Sequence, residues 1–198
     1  KWAAASRLDE GFRILDAATG RQVATCGGQD GKSRGGTWAP DSRCLAGTDY
    51  DDSAHDIRIW DALTGQRLAV CSGHEEPIQG LDWSRCGRFL ASGADDDDGV
   101  RIWDPETGAC LRHFQPGPET VWGLKWSPDG QVLAVSYRDG DVLLLDAETV
   151  QTQRHLHQKG ERRSGASGLA WSPDGRFVAV EFRRPGCSIL IWDAATGE

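Results

Sequence analysis

Short alternations of apolar and polar residues dominate the chain. Gln22-Val23-Ala24-Thr25-Cys26, Arg88-Phe89-Leu90-Ala91-Ser92 and Val100-Arg101-Ile102-Trp103 are examples. Such runs end at Pro-Asp-Gly, Asp-Gly or Thr-Gly. Period-two runs of this length, punctuated by turn residues, predict β-strands joined by tight turns. No segment carries a sustained helical stripe, so no helix is predicted.

The alternation is itself repeated. Trp38-Ala39-Pro40-Asp41-Ser42, Trp83-Ser84-Arg85-Cys86-Gly87, Trp126-Ser127-Pro128-Asp129-Gly130 and Trp171-Ser172-Pro173-Asp174-Gly175 follow one another at spacings of 45, 43 and 45. A second motif, two apolar residues then Asp, appears at Ile14-Leu15-Asp16, Ile59-Trp60-Asp61, Ile102-Trp103-Asp104, Leu144-Leu145-Asp146 and Ile191-Trp192-Asp193. Its spacings are 45, 43, 42 and 47. Two independent motifs hold one phase, and each period has room for four short antiparallel strands, named a to d here. A four-stranded sheet cannot bury both faces alone, whereas copies stacked around an axis can.

With Trp60-Asp61, Trp103-Asp104, Trp192-Asp193 and Gly73-His74 in that phase, the chain resembles the WD-repeat β-propellers. The Trp-Ser-Pro-Asp-Gly form is similar to that of bacterial, multi-repeat members. The resemblance implies an all-β fold of four-stranded blades, about four and a half of them. Blade 1 is partial (1–26, lacking strand a), blade 2 spans 35–71, blade 3 spans 77–114 and blade 4 spans 120–156. Blade 5 is partial (166–198, lacking strand d). Family rings have more blades, so the expectation is one segment of a longer propeller, with the remaining blades or domains of a parent chain as its neighbours. A self-contained disc, or a ring shared between chains, is the alternative.

Composition narrows the partners. Lys plus Arg is 22 and Asp plus Glu is 30, a net charge of −8. This argues against nucleic acid, which calls for a basic footprint, and against anionic membrane surfaces. The nine Trp are mostly motif anchors, and much of the acidic excess is Asp in turns. Six cysteines show no C-x-x-C pair and no zinc-ligand spacing. They read as small buried hydrophobes in a reducing, cytoplasmic setting.

Several constellations look like chemistry. By resemblance, His74, Ser92, Asp97 and Trp103 occupy the positions of a structural hydrogen-bond tetrad. His, Ser and Asp together also invite a catalytic reading, but mutual satisfaction of buried polar groups explains them better. Blade 3 alone has the full set: blade 4 has Leu145 in place of the Trp, and Arg183-Arg184-Pro185-Gly186 replaces blade 5's acidic turn. Gly31-Lys32-Ser33 lacks the earlier glycine and the strand-to-helix context of a phosphate loop. Asp95-Asp96-Asp97-Asp98-Gly99 fails the spacing of a calcium loop and reads as a turn. No metal or cofactor is expected.

For a partner, the resemblance points to the face where the inner strands begin. Arg34, Gln79, Trp122 and Ser167 each lie four residues before a strand-a Trp, one per blade. The b–c loops add Tyr50, Asp51 and Asp52 in blade 2 and Tyr137 and Arg138 in blade 4. Trp122 is either a binding anchor or a ring packed on an adjacent blade's loop. The expected function is a non-catalytic scaffold or sensor domain for protein or peptide, within a larger multidomain protein. An enzyme with its site at the channel mouth and a structural spacer are the alternatives.

Overall fold

A computed structural model describes residues 2–7, 11–27, 33–49, 55–95, 99–115, 120–157, 164–184 and 188–198. Among them, eighteen strands form five antiparallel sheets. Blade 1 is β1 (Trp2–Arg7), β2 (Gly11–Asp16) and β3 (Gln22–Cys26). Blade 2 is β4 (Ser33–Trp38), β5 (Cys44–Asp49), β6 (His55–Asp61) and β7 (Arg67–His74). Blade 3 is β8 (Ile78–Trp83), β9 (Leu90–Ala94), β10 (Val100–Trp103) and β11 (Cys110–Phe114). Blade 4 is β12 (Val121–Trp126), β13 (Val132–Tyr137), β14 (Val142–Asp146) and β15 (Thr152–Leu156). Blade 5 is β16 (Ser164–Trp171), β17 (Phe177–Arg184) and β18 (Ser188–Asp193).

Each sheet is a meander in sequence order, as tight turns between short strands require. In the turn before each outer strand an Asp carboxylate supplies the order. Asp16 Oδ1 accepts the N–H of Ala18 and of Thr19 and the hydroxyl of Thr19. Asp61 and Asp146 make the same three bonds, and Asp193 the two to N–H. The residue after the Thr has positive φ in all five turns: Gly20, Gly65, Gly108 and Gly197, with Val150 taking the place in blade 4. At Gly108 the reason for glycine is doubled, because a Cβ would lie 2.2 Å from the Val70 carbonyl oxygen of the preceding blade.

The core lies between blades. Phe12, Ile14, Cys26, Leu45 and Trp60 close the boundary of blades 1 and 2. Ile57, Ile59 and Cys71 meet Trp83, Leu90 and Trp103 at the next boundary. Val100 and Ile102 meet Val121, Leu124 and Trp126 between blades 3 and 4. Val142, Leu144 and Leu156 meet Ala166, Val178 and Phe182 between blades 4 and 5. The apolar residues of one strand c thus serve the following blade, which is why no single blade has a core of its own.

Polar links cross the same boundaries between the inner strands β4, β8, β12 and β16. Trp83 Nε1 donates to the Thr37 carbonyl (3.2 Å) and Trp171 Nε1 to the Lys125 carbonyl (3.1 Å). Between blades 3 and 4 an ion pair takes over, with Lys125 Nζ 2.5 Å from Asp82 Oδ1. Asp82 Oδ2 also accepts the Trp126 backbone N–H. Burial raises the Asp82 carboxyl above its ordinary value, although the Lys125 ammonium pulls the other way.

Candidate functional site

The inner strands begin with a kink. In β8, Ile78 pairs with Ala94 and Gly80 with Gly93, so Gln79 is left out of the ladder. Trp122 is left out of β12 in the same way, and Ser167 out of β16. Such β-bulges re-aim the unpaired residue and bend the strand. In β4, Arg34 stays paired with Thr48 and Gly35 is the extra residue. Arg34 is therefore not the counterpart of the other three. Gly35, with φ of 55°, absorbs the bulge one position later. Arg34 and Ser167 are described by their backbone alone.

Trp122 is half-buried. Its ring lies over Gly165 of β16, where a Cβ would come within 2.9 Å of Cζ3. The Arg183 guanidinium stands 5.5 Å from the ring centre, in cation–π range. One face of the indole is thus used by blade 5. Beside it the exposed Arg138 stitches the two blades. Its N–H donates to the Thr120 carbonyl, and its own carbonyl accepts the Gly165 N–H at 2.8 Å. In blade 3 the exposed Gln79 donates from Nε2 to Asp95 Oδ2 at 2.7 Å.

Tyr137 departs from expectation. It is the last residue of β13, 2% exposed, and packs with Val121, Val135 and Leu145 in the blade 3–4 core. Its hydroxyl has no hydrogen-bond partner among the described residues, and burial pushes the phenol above its ordinary range. It is a core residue and offers a partner nothing in this conformation. The reason is that β13 is buried on both faces, so alternation does not put its end in solvent. Tyr50, Asp51 and Asp52 lie outside the described residues.

Three members of the proposed tetrad meet in blade 3. Ser92 Oγ is 2.6 Å from His74 Nε2 and accepts the Trp103 Nε1–H at 2.7 Å. The His74 and Trp103 rings meet edge-on at 5.8 Å. All three side chains are buried, and Asp97 lies outside the described residues. In blade 4 the corresponding positions hold Val135 and Leu145, both in the apolar core.

The cysteines divide. Cys26 and Cys71 are buried and Cys44 half-buried, whereas Cys86 and Cys110 are exposed, so the uniformly buried expectation fails for two. Cys86 sits in a turn and Cys110 at the start of an outer strand, both facing solvent. Cys44 and Cys86 belong to a groove of about 1010 Å³ between blades 2 and 3, lined also by Leu68, Trp83, Arg88 and Leu111. The groove lies at the a–b and c–d turns, the opposite end from Trp122 and Gln79. Sequence reading missed it. The available signal was the matching apolar Leu68 and Leu111 at the second position of two outer strands, each about half exposed.

Among the described residues, no His, Cys, Asp or Glu side chains gather in a metal-binding set. Among the same residues, no helix is long and apolar enough to cross a membrane.

Two family models match the chain. One, described as WD domain, G-beta repeat, covers residues 65–104; the other, Anaphase-promoting complex subunit 4 WD40 domain, covers residues 117–164. Both are WD-repeat models, so residues 65–104 and 117–164 carry repeats of the WD type. The first match takes in the outer strand of blade 2 and the first three strands of blade 3, the usual offset between a WD repeat in sequence and a blade in space. No curated protein matches the chain. Among solved structures, the computationally designed Ika8 protein aligns with a TM-score of 0.79 at 23% identity. The alignment covers 98% of this WD-repeat chain and 56% of that one, so the chain spans little more than half the length of that structure. WD repeats generally serve as protein-interaction scaffolds.

Proposed function

We propose that this segment is a non-catalytic scaffold or sensor surface that holds a protein or peptide on the face where its inner strands begin, around Trp122. The carrying observation is the bulge that lifts Gln79 and Trp122 out of the ladder at matching positions of adjacent blades. Trp122 is already held by Gly165 and Arg183, so its open part is a rigid aromatic surface of the kind that anchors partners at low entropic cost. Arg138 and Arg183, both exposed beside it, favour a partner segment with acidic and aromatic residues. Against an enzyme stands the distribution of the shifted groups. The lowered carboxyls sit in turns spread over all five blades, at Asp16, Asp61, Asp104, Asp129, Asp146, Asp174 and Asp193, not gathered in one pocket. Burial pushes the Cys26 thiol up to about 11 and the Cys71 thiol to about 12. Such inert free thiols support a reducing, cytoplasmic compartment.

The test is a displayed random-peptide selection against the chain, followed by affinity measurements on variants. Peptides recovered on the native chain are expected to lose roughly tenfold or more on Trp122→Ala, the scale of a hot-spot residue. Arg88→Ala, in the opposite groove, should leave them unchanged. Peptides that bind Trp122→Ala normally and lose affinity on Arg88→Ala would move the site to the groove.

A further inference from the structure

One position beside the core changes size from blade to blade. The Cys44 carbonyl accepts the Ala39 N–H, the Phe89 carbonyl accepts the Ser84 N–H and the Val132 carbonyl accepts the Ser127 N–H. The three residues therefore stand at the same place in blades 2, 3 and 4. Each is partly buried against the boundary with the following blade. Blade 3 puts a phenyl ring there and blade 4 an isopropyl group, whereas blade 2 puts only a thiol. The groove of about 1010 Å³ between blades 2 and 3 is lined by that Cys44, with Ile59, Leu68, Trp83 and Leu111 as its apolar walls. Pockets that take small molecules span about 300–1,000 Å³, so the space left beside Cys44 is of that size.

The charges around the groove are laid out unevenly. Asp41 accepts the Arg43 N–H, and Asp104 accepts the Glu106 N–H and the Thr107 hydroxyl, so both carboxylates serve their own turns. The a–b turn of blade 3 brings the exposed Arg85 and Arg88 to the groove and carries no acid. Arg85 stands where the other turns have Pro40, Pro128 and Pro173, and Cys86 where they have Asp41, Asp129 and Asp174. Arg176, the counterpart of Arg88 in blade 5, pairs with Asp193 at 3.2 Å. Neither Arg85 nor Arg88 has an ion-pair partner among the described residues. We propose that the groove is a binding site for a small molecule carrying an aromatic ring and one carboxylate. Beside Cys44 the ring takes the place that Phe89 fills at the next boundary, and the carboxylate meets Arg88 and Arg85. Asp41, Asp104 and Glu106 line the same groove and repel a second negative charge, which selects a monoanion. The site lies at the opposite end of the blades from Trp122 and does not depend on the peptide reading.

The test is alkylation of the two exposed thiols by iodoacetamide, read by mass spectrometry. Cys86 lines the groove and Cys110 does not. Titration of the chain with phenylacetate should slow the reaction of Cys86 saturably, by about fivefold or more at the plateau, as occupancy rises by mass action. Cys110 should react at an unchanged rate. Phenylacetamide should protect at higher concentration, and phenethylamine at higher concentration still. Cys44→Phe places blade 3's own ring in the groove and should remove the response of Cys86 to phenylacetate. Arg88→Ala should weaken phenylacetate about threefold, the scale of an exposed charge pair, and leave phenylacetamide as it was. That comparison decides the matter if Cys44→Phe does not fold. Trp122→Ala should leave the protection intact, so failure here is distinct from failure of the peptide site. The proposal is overturned by Cys86 that shows no saturable protection, by equal protection of Cys110, or by an amine that binds as tightly as the acid. A folded Cys44→Phe chain still protected by phenylacetate overturns it too, as does an Arg88→Ala chain that binds acid and amide as the parent does.

Discussion

At the residue scale, three strand-c tryptophans each receive the edge of another ring, and each ring has a different origin. Phe12 of the preceding blade meets Trp60 at 5.7 Å, His74 meets Trp103 at 5.8 Å, and Phe182 of its own blade meets Trp192 at 6.1 Å. Phe12 fits because Gly36 and Gly47 leave room, a Cβ at either coming within 2.7 Å of its ring. Only blade 3 makes the contact with a polar ring, and it is there that Ser92 bridges His74 and Trp103. Ser92→Val leaves two buried nitrogens without their shared partner, and should cost roughly 2–3 kcal/mol. Trp103→Leu opens a cavity and should cost roughly 3 kcal/mol or more. Made together, the two recreate the apolar Val135–Leu145 pair that blade 4 already uses. The double variant should therefore cost less than the sum by about 1 kcal/mol, which a denaturant-based double-mutant cycle measures. Strict additivity would mean that Trp103 does not depend on Ser92.

At the element scale the recurring device is the carboxylate-closed turn. Hydrogen bonds from Thr149, with smaller contributions from Glu148 and Gln153, lower the Asp146 carboxyl below 3.8. Asp16, Asp61, Asp104 and Asp193 are lowered by the corresponding bonds in their turns. For a lowered carboxyl the stabilisation is fully present above the unfolded pKa and is lost as pH falls through the folded one. Asp146→Asn should therefore destabilise the chain at pH 7, with the gap from the parent closing below about pH 4. Urea midpoints from pH 7 to pH 3 check this; a gap that widens on acidification would refute it. These turns, and the strands between them, were legible in the sequence because Asp-x-x-Thr-Gly and period-two alternation are local signals. What was not legible depends on pairing or on distant residues. The bulges that single out Gln79 and Trp122 arise from a register mismatch between strands. The half-burial of Trp122 depends on Gly165, some forty residues on and in another blade. The burial of Tyr137 follows from a strand covered on both faces, where alternation says nothing about which side is wet.

For the whole molecule, stability is built at boundaries, and blades differ in how many they have. Among the described residues, blades 2, 3 and 4 are each covered on both faces by filled apolar boundaries, whereas blades 1 and 5 have one such boundary each and three strands instead of four. In a nearest-neighbour repeat the free energy of opening a unit is its own stability plus the interfaces it must break. Opening blade 5 exposes one boundary and already begins with Ile189 and Ile191 in water; opening blade 3 must break two. Native-state hydrogen exchange of the 198-residue chain should therefore be graded. β8–β10 and β12–β14 should exchange most slowly, β1 and β18 fastest. The central strands of blade 3 should differ from β18 by roughly a hundredfold or more, about what loss of one apolar boundary worth roughly 3 kcal/mol implies. The polar links sharpen the contrast, since the Asp82–Lys125 pair and the Trp83 and Trp171 indole bonds all tie inner strands of successive blades together. Equal protection in all five sheets would show that the chain opens only as one unit, and would make the boundaries too strong to act singly. The graded outcome follows if each blade is held chiefly by its neighbours.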